Sequence, residues 1–268
     1  MPINIRKYAL LRYFKKNSTA LIAIYGDNLI PFCLNVNGIK IPINRDNSDI
    51  ASEFMDIMLQ EICKDRFIHD AICDDLYCEG PYEHENVKIE CNDVVIDCGA
   101  NIGMFSALAS HKGAIVYSFE PSENIIETYL SKTAQLNPNI YICNYALSDK
   151  CGDVWFAISS EHHSMNHIED PKNDDHKNSV VIQATTLDEF VHQNHLSKVN
   201  FIKADIEGAE RNMLMGAQKV LHEFAPKLAI CTYHKPDDPR VLREIILQAN
   251  PNYVIVERWK KVYAHVPK

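Results

Sequence analysis

Ten residues, Val94-Val95-Ile96-Asp97-Cys98-Gly99-Ala100-Asn101-Ile102-Gly103, constrain this chain more than any others. The apolar run before Asp97 reads as a strand buried on both faces, as in a parallel sheet. Glycines at 99 and 103 make a turn, and Met104 to His111 continues as a helix. Strand, glycine turn and helix together open a nucleotide-binding α/β fold. The glycines let backbone approach a ligand, and the start of the helix offers N–H groups to it. A dinucleotide site wants G-x-G-x-x-G, whereas this chain has Asn101 in place of the middle glycine. The negative Asp97 suits the cationic end of a ligand better than a phosphate. The combination points to S-adenosylmethionine (SAM), a nucleoside carrying a sulfonium and an amino acid.

Around that stretch the pattern alternates. Strands are expected at Ala114 to Phe119, Ile140 to Cys143, Val199 to Ala204 and Leu228 to Thr232. Helices are expected from Ser122 to Leu136, from Gly208 to His222 and from Pro239 to Gln248, with a short one opened by Thr186. Asp153 to Ile158 and Val180 to Ala184 read as a paired β excursion around a polar stretch, 159 to 178. Tyr253 to Val256 and Val262 to Ala264 read as a β pair at a sheet edge. Such alternation gives a doubly wound, mostly parallel sheet with helices on both faces.

Residues 1–90 form an expected N-terminal α/β annex, and residues 91–268 the SAM-binding domain. The annex holds a hairpin, Pro31 to Val36 and Ile39 to Ile43, around Asn37-Gly38, a pair suited to a type I′ turn. Residues 3 to 16 read as a basic helix with five cations and no acid. Docking on the domain is the expected reading, and weak attachment to a membrane surface or acidic partner is the alternative.

Composition narrows the class of partner. With 268 residues, 46% of them hydrophobic and 24% charged, the chain is an ordinary globular one. A formal charge of −9 argues against nucleic acid. No apolar run approaches the ~20 residues of a membrane span, and the basic N-terminus lacks a signal-peptide core. The nine cysteines form no C-x-x-C pair and read as reduced, so a cytoplasmic protein is expected.

Ligands of such sheets sit beyond the carboxyl ends of the strands, near the switch in strand order. The first strand end brings Asp97, Gly99, Ala100, Asn101 and Gly103, with Phe105 behind them. The second brings Glu120 and Pro121, and a carboxylate 23 residues after Asp97 has two oxygens for the two ribose hydroxyls. The third brings a turn, Asn144 to Asp149, placed by Ala146 and Leu147 to cover an adenine. The fourth brings Asp205-Ile206-Glu207-Gly208-Ala209-Glu210, and the fifth Thr232-Tyr233-His234.

These blocks, with Ser118-Phe119-Glu120-Pro121, Thr185 to Phe190 and Phe201 to Glu210 in the same order, closely resemble the FkbM family of SAM-dependent methyltransferases. The resemblance covers about residues 93 to 235, with a weaker match toward residue 30. It implies a Rossmann-like class I methyltransferase fold with a seven-stranded sheet whose last strand is antiparallel. It also implies O-methylation of a hydroxyl on a sugar, glycan or natural-product intermediate. Methylation of a peptide or another small molecule, or a non-catalytic SAM-binding scaffold, is the alternative.

A hydroxyl acceptor loses a proton, so a base within hydrogen-bond reach is expected. The candidates are Asp205, Glu207 and His234. Asp205 is expected beside the SAM amino acid or the acceptor, and Glu207 or His234 to assist deprotonation. Glu207 could instead cap the following helix, and His234 could only contact substrate. Asp205, Glu207, His234 and Asp237 could offer hard metal ligands. The histidines at 162, 163, 167 and 176 lack a zinc motif, and no metal site is expected. A base-methylating DNA enzyme is disfavoured because Asp205-Ile206-Glu207-Gly208 stands where an N/D-P-P-Y/F motif would be. A cytosine-C5 enzyme is disfavoured because no Pro-Cys occurs, and a nicotinamide enzyme by the glycine spacing.

Overall fold

The structure, a computed structural model, describes residues 32–36, 39–43, 81–158, 166–168 and 178–267. The expected basic helix, the annex apart from the hairpin strands and residues 81–90, and most of the polar stretch lie outside the described residues. A hairpin comes first, β1 (Phe32–Val36) and β2 (Ile39–Ile43), antiparallel with Val36 opposite Ile39, as the Asn-Gly pair predicts.

The domain is built on β3 (Val94–Cys98), β4 (Ile115–Phe119), β5 (Ile140–Cys143), β10 (Phe201–Ala204), β11 (Lys227–Cys231), β12 (Val254–Arg258) and β13 (Lys261–His265). Their order across the sheet is β12-β13-β11-β10-β3-β4-β5. Neighbours pair in parallel from β11 to β5, and β13 is antiparallel to both β11 and β12. The chain leaves β3 in one direction toward β4 and β5, then returns to β3's other side through β10. That places the switch point between β3 and β10.

Strand parity divides the core. Ile96 and Cys98 of β3, Ile202 and Ala204 of β10, and Leu228 and Ile230 of β11 face one layer. Val95, Phe201 and Ala229 face the other. The first layer is closed by α3 (Leu187–Gln193), α4 (Glu210–Met215), α5 (Gln218–Glu223) and α6 (Asp238–Ala249). The second is closed by α1 (Met104–His111) and by residues 82–89, with Val87, Ile89 and Phe105 in its core. Ile39 and Ile41 of β2 are buried against Ile102, Met104 and Leu108, and Asn137 binds the backbone of Lys40 through its amide, 2.7 Å. α2 begins at Glu123–Ile125 under a Ser122 cap, passes through a π-helical turn at Ile126–Leu130 and runs on through Ser131–Leu136. It stops at Asn137, held extended by Pro138.

Two expectations need correction and two are borne out. The single helix expected from Gly208 to His222 is two, α4 and α5, divided at Gly216, where Ser148 O stands 2.1 Å from where a β-carbon would lie. The expected β pair stands at the sheet edge, β12 outermost and β13 between it and β11, where Tyr263 and Lys261 are buried. Ala146–Leu147 form a short strand, β6, where a turn was expected; it pairs in parallel with β9 (Ser179–Thr185). The paired excursion is present as β7 (Gly152–Ala157) with β9, and β6 and β8 (His167–Ile168) widen it to a four-stranded sheet.

Candidate active site

The β3–α1 turn is shaped by two glycines with positive φ, Gly99 at +76° and Gly103 at +89°. A β-carbon on Gly99 would lie 2.0 Å from the backbone oxygen of Asp205, and one on Gly103 would lie 2.8 Å from Leu130 and Thr133. Both glycines are therefore required by packing of the protein on itself. Between them the chain rounds the turn at Ala100 to Ile102, with the Gly103 N–H donating to the Ala100 carbonyl at 2.8 Å.

Asp97 is fully buried on the α1 side of β3, beside its register partners Ser118 on β4 and Lys203 on β10. Its carboxylate accepts from Ser106 Oγ at 2.6 Å, and Ser106 Oγ lies 2.7 Å from Ser118 Oγ. Lys203 Nζ lies 3.1 Å from Asp97 Oδ1 and donates to the carbonyls of Gly99 (2.7 Å) and Cys98 (3.3 Å). Burial would lower the pKa of this ammonium, but the neighbouring Asp97 and Asp205 outweigh it and raise it. The buried lysine is therefore a permanent cation that neutralises Asp97 and ties down the turn. Sequence reasoning missed it, although a lysine inside Phe201-Ile202-Lys203-Ala204 is a visible anomaly in a buried strand.

Glu120 is 5% exposed at the end of β4. One oxygen accepts the Asn101 N–H at 3.0 Å and the other the Ser122 N–H at 2.9 Å. Burial raises its pKa to about 7 against the pull of those two N–H groups and of Lys203, while Asp97 adds to the rise. Each oxygen keeps a lone pair for a further donor. Phe105 points into the core, packed on Tyr82 and Phe201. Ala146 and Leu147 are also buried. A ligand contact at these three positions would have to come through backbone. Pro121 and Asn101 are half-buried beside Glu120, and Ala100 is buried.

The other side of the switch point carries acids and a histidine. Asp205 accepts from Tyr82 Oη through Oδ2 and from Tyr233 Oη through Oδ1, both at 2.8 Å. Burial alone would raise its pKa, but Lys203, Lys261 and the Tyr82 hydroxyl together hold it below the usual carboxylate value. Glu207, at φ +52°, faces His234 with Oε2 3.3 Å from Nε2. The other side of the ring meets Glu210, Oε1 being 3.0 Å from Nδ1. Burial would depress the imidazole, but Glu207, Glu210 and Asp205 push its pKa up to about 10. Capping of the turn falls to Glu210, whose Oε1 accepts the Ile206 N–H at 2.9 Å, and Glu207 makes no cap bond to α4. Asp237 is drawn away by Arg211 and Arg240. Tyr233 stands at the fifth strand end as expected, but its bond to Asp205 was not anticipated, and Tyr82 lies outside every recognisable motif.

A sheet of this order with an antiparallel β13, a glycine turn after β3 and an acid at the end of β4 defines a class I SAM-dependent methyltransferase. A model of the methyltransferase FkbM domain matches residues 97–254. The chain belongs to that family, and its cofactor is SAM. The hexuronic acid methyltransferase AglP of Haloferax volcanii is 27% identical over 162 residues, covering 60% of this chain and 64% of that protein. The crystal structure of methyltransferase FkbM from Methylobacillus flagellatus shares the fold with a TM-score of 0.52 at 21% identity, covering 81% of this chain and 60% of that one. The chain thus spans a little under two thirds of the length of these relatives. Among the described residues, no helix is long and apolar enough to cross a membrane.

Proposed function

We propose that this methyltransferase acts on a hydroxyl oxygen of a sugar, glycan or natural-product intermediate. The observation that carries the reading is the facing of two unlike halves across the β3/β10 switch: a buried carboxylate on a glycine turn, and a carboxylate–histidine cluster. The sugar class is supported by the likeness to a hexuronic acid methyltransferase.

The residues fit the cofactor. Glu120 has one lone pair on each oxygen for a ribose diol, and backbone at Asn101, Pro121 and Ala146–Leu147 lines the same side. SAM supplies a methyl already activated on a sulfonium. The protein's work is to orient the acceptor oxygen, exclude water and take the hydroxyl proton as the new C–O bond forms. Asp205 is poorly suited to take that proton, because both of its oxygens already accept a tyrosine hydroxyl. Its role in this reading is to position. Glu207, partly open to solvent, takes the proton in this reading, and His234, charged at neutral pH and 3.3 Å from it, holds the carboxylate in place.

Glu207→Gln and His234→Ala should each lower kcat by about 10²–10⁴-fold while SAM binding, followed by titration calorimetry, is retained. Full turnover by both variants would overturn the assignment.

A further inference from the structure

The chain passes from β12 to β13 through two residues, Trp259 at φ +49° and Lys260 at φ +57°. A two-residue turn of this hand suits Asn, Asp or Gly, because other side chains at positive φ are strained, bulky ones most of all. The sequence has such a pair, Asn37-Gly38, between β1 and β2. Backbone strain persists where the surroundings impose it, and it collects at binding sites. Packing accounts for Trp259, whose ring centre lies 5.2 Å from that of His84 and 6.3 Å from that of Tyr263. Packing does not account for Lys260. Its side chain is exposed, and Gly or Asn there would take the same conformation at less cost. What the turn achieves is placement of a charge. The Lys260 carbonyl accepts the Thr232 N–H at 2.9 Å, and its Nζ stands 5.5 Å from the centre of the Tyr233 ring. Tyr233 in turn binds Asp205 and lies against His234, their ring centres 4.1 Å apart.

We propose that Lys260 binds an anionic substituent of the acceptor, a carboxylate or a phosphate, so that an acidic sugar is taken in preference to a neutral one. The inference rests on the proposed function, in which a sugar hydroxyl is brought to Glu207. Asp205 and Glu207 make this end of the sheet negative, and the chain as a whole carries a formal charge of −9. An anionic acceptor therefore needs a cation at the rim to be admitted. The other cations nearby are engaged. Lys203 holds Asp97 and the turn carbonyls, Lys261 is buried over the Tyr82 ring, and His234 lies between Glu207 and Glu210. Lys235 donates to the Gly208 carbonyl at 2.8 Å. Among the described residues, Lys260 pairs with no carboxylate and donates to no acceptor atom. The Tyr233 ring steadies the ammonium without neutralising it, which leaves its charge and its three N–H donors to a ligand.

The test is titration calorimetry of the full chain loaded with S-adenosylhomocysteine. The probes are the methyl glycosides of glucuronic and galacturonic acid, the 6-phosphates of glucose and galactose, and the neutral methyl glycosides of both sugars. The wild type should bind at least one charged sugar about tenfold or more tightly than its neutral counterpart. Lys260→Gln should lose that preference, Lys260→Arg should keep it, and both should bind SAM as the wild type does. A preference for the uronates assigns the ammonium to a carboxylate, and one for the phosphates to a phosphate. Equal binding of charged and neutral sugars overturns the proposal, as does failure of every charged sugar to bind. A preference that survives in Lys260→Gln also overturns it. So does a matching loss of SAM affinity in that variant, which would give the ammonium to the cofactor's own carboxylate. Methyl transfer to neutral sugars, with no preference for charge, overturns the site and leaves the proposed function standing. A charged sugar that binds through Lys260 but receives no methyl supports the site and counts against that function.

Discussion

Lys203 changes what Asp97 does. An acid at the end of the first strand reads naturally as a hand held out to a cationic ligand, but here the carboxylate is enclosed by Ser106 and Lys203. The protein supplies the cation itself and uses it to grip two carbonyls of the turn. Lys203→Met leaves Asp97 buried and unpaired, so it should cost about 3–5 kcal/mol in urea unfolding. Glu120 makes a second residue-level prediction. Its free carboxyl titrates near 7, and a ribose diol needs both oxygens as acceptors, so cofactor binding selects the carboxylate. Below pH 7, SAM affinity should fall up to tenfold per unit with a proton released on binding, read by calorimetry in buffers of different ionisation enthalpy. For the ligand-free protein the sign is opposite. A carboxyl raised above its unfolded value stabilises the fold fully below the unfolded pKa, and that contribution is lost as pH rises to about 7. Which acids would matter was legible from their places at strand ends. Which would be buried and which paired was not, because Tyr82, Lys203 and Tyr233 come from three separate segments that only the fold brings together.

At the scale of elements, local signals carried well wherever a side chain acts on its own backbone. Thr186 caps α3 by accepting the Glu189 N–H at 3.0 Å, as its place before Leu187-Asp188-Glu189-Phe190 suggests. Thr186→Ala should cost about 1 kcal/mol in the unfolding midpoint and leave SAM binding unchanged. Signals failed where a distant segment decides. Gly216, at the break between α4 and α5, is required because Ser148 O stands where a β-carbon would lie, and nothing within residues 208–222 announces a neighbour about 70 positions upstream. The strand at Ala146–Leu147 depends likewise on Ala184 and Thr185. A two-residue run carries no periodicity of its own.

For the whole molecule, the alternation of strands and helices made the sheet legible, while the place of the first 90 residues was not. Ile39 and Ile41 lie in one buried cluster with the helix that follows the cofactor turn, so we propose that the hairpin and the catalytic domain unfold together. Ile41→Ala should then shift a single unfolding transition by about 2–5 kcal/mol; a hairpin melting separately would count against that unity. The interior position of β13 has a further consequence, in time. Tyr263 on that strand donates to the carbonyl of Pro81 across 182 residues of chain, and Lys261 stands over the ring of Tyr82, 4.5 Å from its centre. β13 thereby packs against the segment that carries Tyr82, whose hydroxyl binds Asp205. Long-range closures of this kind come late and slowly in folding. Weakening that closure, as in Tyr263→Phe, should therefore slow recovery of activity after refolding more than a change confined to the hairpin does, read by stopped-flow refolding followed by an activity assay.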